Sequence, residues 1–278
     1  MEELKTYFSK LLLALLVFNP LLPTVKGQGN CLIYDENSGE RIACELSYRA
    51  VTYKQGSKAS QILFDAAIDI GPGYAWAYYE KSVPYFKRGL LKQGVELLNK
   101  AIAIDPESYL CYRAYWYFSH RSYEACISDL ERYYYSLNGP PRSTPGGDME
   151  MKMLLGLTYA QKGNLTKAIE LVSTAIDSYE AQGYFVGSFD FHVLGILHYE
   201  NNQLIKAFTA FEQQIKSNEN FADTYYYMGL IQRAQSNDEA ATKLLEKSLS
   251  LFNGVNGGFT FNSFLDWNVS KSDVEKKL

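Results

Sequence analysis

The chain has 278 residues, with 27 Lys plus Arg against 31 Asp plus Glu, 47% hydrophobic residues and 15% aromatics. That apolar fraction excludes a disordered chain, 20 Gly with 8 Pro excludes a collagen-like one, and a net charge of −4 offers no electrostatic footprint for nucleic acid. Tyrosine is in surplus, 23 against 15 Phe and 3 Trp, and its half-apolar ring suits packed helices and wet interfaces alike.

The first element, residues 10–18, is the short apolar run Lys10-Leu11-Leu12-Leu13-Ala14-Leu15-Leu16-Val17-Phe18, broken by Asn19-Pro20 and followed by Pro23 and Val25-Lys26-Gly27. It reads as a secretory signal over residues 1–27, cleaved after Gly27. Glu2 and Glu3 offset Lys5 and Lys10, so an uncleaved anchor or a buried N-terminal helix stays open, and Gln28-Gly29-Asn30 is a poor lead-in for lipid attachment at Cys31. No run of about 20 apolar residues is available for a transmembrane span. The expected location is therefore exported: periplasm, outer-envelope surface or extracellular space, with at most a peripheral association with the cell envelope.

Four cysteines in an exported chain allow three disulfide pairings. Cys31 and Cys44 flank a polar, turn-like stretch at residues 34–40, where a bridge would staple the N-terminal cap onto the first helix. Cys111 and Cys126 fall on the two helices of one hairpin, either bonded or as two buried thiols.

Internal periodicity then dominates. Ala67 and Ala101 are 34 residues apart, as are Pro72 and Pro106; Gly156, Gly195 and Gly229 are separated by 39 and 34, and Ala168, Ala207 and Ala241 repeat those two intervals. Within a unit the apolar residues recur at three and four, as in Ile169, Val172, Ala175 and Ile176, which is helical spacing. Gly163-Asn164 and Gly71-Pro72 end helices. Residues 138–147, rich in Pro and Gly, and a five-residue surplus before Gly195 read as insertions on one rim. The tail has a glycine-rich turn at 254–258, then Phe259, Phe261, Phe264, Leu265 and Trp267, expected to cover the exposed end of the last unit. Ser272-Asp273-Val274-Glu275 has the form of a capping box opening a last short helix.

These units resemble the tetratricopeptide repeat (TPR) family, with its large aromatic at repeat position 4, Leu-Gly at 7 and 8, Tyr at 11, and Ala at 20 and 27. The best copy has Leu155, Gly156, Tyr159, Ala168, Val172 and Ala175, with Lys152 departing at the aromatic position. Other copies supply Tyr78, Tyr85, Leu98, Ala101 and Pro106 with Ser82 in place of glycine; Phe191, Leu194, Gly195, Ala207 and Phe211; and Tyr225, Met228, Gly229, Ala241 and Leu245. Residues 109–135 form a degenerate copy with Trp116 for the glycine, and residues 41–72 keep only Phe64, Ala67 and the proline. The resemblance implies an all-α chain: an α-α superhelix, or right-handed solenoid, of about six helix pairs over residues 28–252, followed by a capping segment at 253–278.

The resemblance also implies a binding groove lined by repeat positions 2, 5, 9 and 12. Carried over, these are Trp76, Tyr79, Val83 and Phe86; Arg113, Tyr117 and His120; Met153 and Leu157; His192, Ile196 and Tyr199; and Tyr226, Leu230 and Arg233. Tyr79 and Val83 stand where the family's chaperone-binding members carry a Lys and Asn carboxylate clamp, so that activity is not expected. Catalytic patterns are missing: there is no phosphate loop, no Gly-x-Ser-x-Gly elbow and no His-Glu-x-x-His pair. His192 and His198, six apart, point to different sides of a helix and do not suit a shared metal. Asn164-Leu165-Thr166 and Asn268-Val269-Ser270 match glycosylation sequons, although Gly-Asn is also an ordinary turn between paired helices. The expected function is a non-catalytic scaffold without cofactor or metal, holding a peptide or helix of a protein partner in the groove. The alternative is a carbohydrate-binding protein that stacks sugar rings on the same aromatics.

Overall fold

Apolar residues at helical spacing, closed by serine, asparagine and aspartate caps, give an all-α chain. The computed structural model describes residues 30–147, 149–183, 186–253 and 267–278, and among these it holds thirteen α-helices and no strand beyond one isolated bridge, Ser143 with Glu150. The expected leader at 1–27 and the tail residues Phe259, Phe261, Phe264 and Leu265 lie outside the described residues.

The chain divides into two compact units, the first ending at Ala77. In the first, α1 (Gly39–Ala50) and α2 (Lys58–Ile70) form a hairpin. Ser38 and Ser57 cap their N-termini, each side chain accepting a backbone N–H three residues on. The two helices meet so closely at Gly39 and Gly71 that a Cβ on Gly71 would lie 2.5 Å from the carbonyl oxygen of Gly39. Ala43, Leu46, Phe64, Ala67 and Tyr74 form the core, and a disulfide joins Cys31 to Cys44 with Cα atoms 5.7 Å apart. Arg41 adds a second tie, donating from Nη1 to the Cys31 carbonyl at 3.2 Å.

The second unit begins at Tyr78, within α3 (Ala75–Lys87). It continues through α4 (Leu91–Ile104), α5 (Pro106–Ser119), α6 (Tyr123–Glu131), α7 (Met151–Gln161), α8 (Leu165–Ala181), α9 (Asp190–Glu200), α10 (Leu204–Ser217), α11 (Ala222–Ala234), α12 (Asp238–Phe252) and α13 (Lys271–Glu275). From α4 onward each helix packs on its neighbour in the chain, so the core is built step by step along the sequence. With the hairpin of the first unit this makes six helix pairs and a terminal helix.

The repeated small residues have a common cause. Ala101, Ala168, Ala207 and Ala241 are fully buried. A Cβ on Gly156 would sit 2.8 Å from Val172 Cγ2, one on Gly195 2.4 Å from the Phe211 ring, and one on Gly229 2.8 Å from Leu245 Cγ. Each glycine thus marks the crossing of two paired helices, where a side chain on the second fills the space a Cβ would need. In the pair α3 and α4 the arrangement is inverted: Ser82 replaces the glycine, and Gly94 on the second helix makes room for the Phe86 ring, 2.9 Å from where its own Cβ would be.

The degenerate pair, α5 and α6, ends differently. A π-helical turn, Arg132–Ser136, follows α6, and the extra residue in its turn brings adjacent Tyr133 and Tyr134 inside together. Tyr133 donates to the Pro140 carbonyl at 2.8 Å, and Tyr134 donates to the Glu150 carboxylate at 2.5 Å. Glu150 also caps α7 by accepting the Lys152 amide at 2.9 Å. The expected rim insertion at 138–147 is therefore tied down at both ends.

At the other end of the chain, the last helix is opened by Ser270 and Asp273, whose side chains and backbones form a reciprocal capping box. The expected box at Ser272 and Glu275 is two residues out of place; Glu275 ends the helix instead of supporting its start. Val269 and Val274 pack into a cluster with Tyr227, Met228 and Ile231, joined by Trp267, Tyr226 and Leu230. No helix of the described residues is long and apolar enough to cross a membrane.

Candidate functional site

Most of the expected groove residues meet other parts of the chain. Met153, Leu157, Ile196, Val83 and Phe86 are buried, and Phe86 stacks on Trp116 with ring centroids 5.0 Å apart. His192 is fully buried: Nδ1 lies 3.0 Å from Thr224 Oγ1, the ring meets Phe221 edge-on, and burial pushes its pKa down to about 3. Positions 100° from the packing stripe are still covered, because the first helices of successive pairs pack on one another, as the bond from α9 to α11 through His192 shows. His198 Nδ1 lies 2.7 Å from Gln203 Oε1. Among the described residues no group of three His, Cys, Asp or Glu is placed to hold a metal ion.

Both expected cations are engaged. Arg113 forms a two-pronged ion pair with Asp129, 2.8 Å from Nε to Oδ2 and 2.6 Å from Nη2 to Oδ1, and also donates to Asn99 Oδ1. The pair is largely withdrawn from water, with side chains 15% and 7% exposed. Arg233 donates to the Lys277 carbonyl of the C-terminal segment. His120 is exposed and its Nδ1 lies 2.9 Å from the Trp116 carbonyl. Tyr117, Tyr199 and Tyr226 are half-buried, the first under the Arg113 guanidinium, the others beside the Tyr227 ring. Trp76, in the first unit, lies against Tyr48 at 4.8 Å. Cys111 and Cys126 are separate buried thiols, each pushed up to about 12 by burial and so protonated at neutral pH.

Among the expected groove residues, Tyr79 opens onto a cavity. A cleft of ≈ 450 Å³ is walled by Tyr79 of α3, by Ser108, Tyr109, Cys111 and Tyr112 of α5, by Met151, and by Arg142, Ser143 and Pro145 of the loop. Tyr79 packs on Tyr109 at 5.1 Å with planes tilted 32°, and edge-on against Tyr112 at 4.8 Å. Burial raises the pKa of both Tyr79 and Tyr112, which keeps their hydroxyls neutral. Arg142 donates from Nη1 to the Ser108 carbonyl at 2.9 Å and lies over the Tyr133 ring at 5.8 Å. The loop closes on itself through Thr144 N to Met149 O at 2.7 Å and Met151 N to Arg142 O at 2.8 Å. The repeat pattern puts this loop on a rim and assigns Tyr109, Arg142, Ser143 and Pro145 no role; an arginine between prolines in a non-repeated loop is the available signal.

The sequence model of the tetratricopeptide repeat family matches residues 150–182, the helix pair α7 and α8 with its capping Glu150. The chain has a tetratricopeptide-repeat fold. Solved structures with the same architecture include YrrB, described as a TPR protein with an unusual peptide-binding site (17% identity, TM-score 0.54, covering 69% of this chain and 94% of that one). PilF of Pseudomonas aeruginosa gives 14% identity and a TM-score of 0.58, covering 79% of this chain and 96% of its own. MamA of Desulfovibrio magneticus gives 14% and 0.54, covering 64% and 95%. At such identities the likeness is one of TPR fold. A comparison with curated protein sequences returns no match.

Proposed function

We propose that the protein is a non-catalytic interaction scaffold that takes an extended segment of a partner protein into the cleft of Tyr79, Tyr109 and Tyr112, and that it works outside the cytoplasm in the cell envelope or beyond. The observation that carries the reading is the cleft itself: three aromatic rings on two successive first helices, bordered by a loop that is held in place rather than packed away. Such a mix of apolar walls and a few polar groups suits a peptide, whose side chains fill the pocket while backbone amides meet hydroxyls. YrrB supports the reading as a TPR protein with a peptide-binding site of its own. Sugar stacking is less well served, since Tyr79 and Tyr109 are tilted by 32° and do not form one flat platform.

The test is a photo-crosslinking amino acid at position 79 in the full chain expressed in its own cells. A crosslinked partner protein is expected, its yield collapsing when Tyr109 is changed to Ala while helical content and melting are unchanged. A crosslink pattern identical to that from a residue on the exposed face of α10, such as Thr209, would overturn the reading. Export rests on the apolar run before Gly27. N-terminal sequencing of the protein recovered from the envelope is expected to begin near Gln28, and a start at Met1 would refute cleavage.

A further inference from the structure

Resting on the peptide reading of the same cleft, we infer that Arg142 makes it selective for a segment bearing a carboxylate. Nine of the described residues line the cleft, and the eight besides Arg142 are of uncharged types: three tyrosines, a cysteine, two serines, a proline and a methionine. Among the described residues Arg142 is the single charge in that lining, on a surface whose walls carry three aromatic rings. A guanidinium carries five donors, and the structure gives this one a bond to the Ser108 carbonyl and a place over the Tyr133 ring. Both hold its plane without cancelling its charge, and no carboxylate among the described residues pairs with it. Arg113 shows the contrast, since Asp129 consumes its fork. A planar cation positioned by neutral partners beside an apolar pocket matches a carboxylate oxygen pair next to an apolar side chain. The source of the selectivity lies in the loop between helix pairs, where a change of one residue leaves the repeat packing alone.

The experiment is selection of randomised twelve-residue peptides against the full chain in two display formats, one with the peptide internal and one with a free C-terminal carboxylate. In the internal format, Asp and Glu are expected to be enriched roughly fivefold at one position beside an apolar residue, the scale of a partly exposed ion pair. Enrichment only in the C-terminal format would assign the carboxylate to the peptide terminus and would equally support the inference. Arg142→Lys should keep the acidic preference in weakened form, Arg142→Gln should abolish it while apolar preferences persist, and Arg142→Glu should replace it with Lys and Arg. Peptides selected by wild type without acidic bias, or a bias unchanged in Arg142→Glu, would overturn the inference and leave the peptide cleft standing. Loss of all selection in Arg142→Gln would also overturn it, by showing that Arg142 merely holds the loop. No peptide selected by wild type in either format would refute the cleft reading itself.

Discussion

Asp223 offers a test of how the C-terminal segment is held. Its side chain, fully buried near the start of α11, accepts the Val269 amide at 3.4 Å through Oδ2, while Oδ1 is buried with no hydrogen-bond partner. Burial, opposed only weakly by backbone amides, raises the pKa from 3.8 to about 7. Between those values the folded chain keeps a proton that the unfolded chain has released, so stability falls as pH rises from about 4 to about 7 and is level above that. A rise of that size corresponds to about 4 kcal/mol. Asp223→Asn removes the titration while keeping the shape, so its melting curve should coincide with wild type near pH 4.5. At pH 8 it should lie higher by about 10 °C, taking about 3 °C per kcal/mol for a chain of this size. The assay is calorimetric or circular-dichroism melting of both proteins across pH 4 to 8. Parallel curves for the two would refute the reasoning, because Asp190, Glu150 and Asp129 are also raised by burial and add the same background slope to each.

The other predictions concern packing. Asp129→Ala strips the partner from the half-buried Arg113 and should cost about 3 kcal/mol by urea unfolding, where a cost under about 0.5 would mark an ordinary surface pair and return Arg113 to the pool of partner-binding residues. Gly195→Ala drives a methyl group into the Phe211 ring and should cost about 1–3 kcal/mol, partly recovered by adding Phe211→Leu; no cost would mean the α9–α10 crossing is looser than described. Reducing the Cys31–Cys44 bridge, which closes a 13-residue separation, should destabilise the first unit by about 3 kcal/mol, read as faster hydrogen exchange along α1 with the second unit unchanged.

The repeats could be read because their packing demands recur. Where α7 crosses α8, α9 crosses α10 and α11 crosses α12, the space admits only hydrogen at one site and a methyl group at another, so Gly156, Gly195 and Gly229 keep step with Ala168, Ala207 and Ala241. The groove was less legible for a related reason. A residue such as His192 or Leu157 has the spacing of an exposed stripe, but in a stack that stripe is also the contact between successive first helices, and nothing in one chain's spacing separates the two. Arg142 and its loop occur once, without period, so their position depends on tertiary bonds to Ser108, Tyr133 and Glu150 that no local pattern encodes.

The π-helical turn after α6 has a further consequence. Because adjacent Tyr133 and Tyr134 reach opposite ends of the following loop, Pro140 at its entry and Glu150 at its exit, both anchors sit on one turn of helix. The span between them is a self-contained cassette, and its closure entropy changes only slowly with length. Residues can be added, removed or exchanged there, and the cleft's border recast, while the helix pairs on either side keep their register. Changes to the border of the cleft are thus mechanically insulated from the helix pairs that carry it.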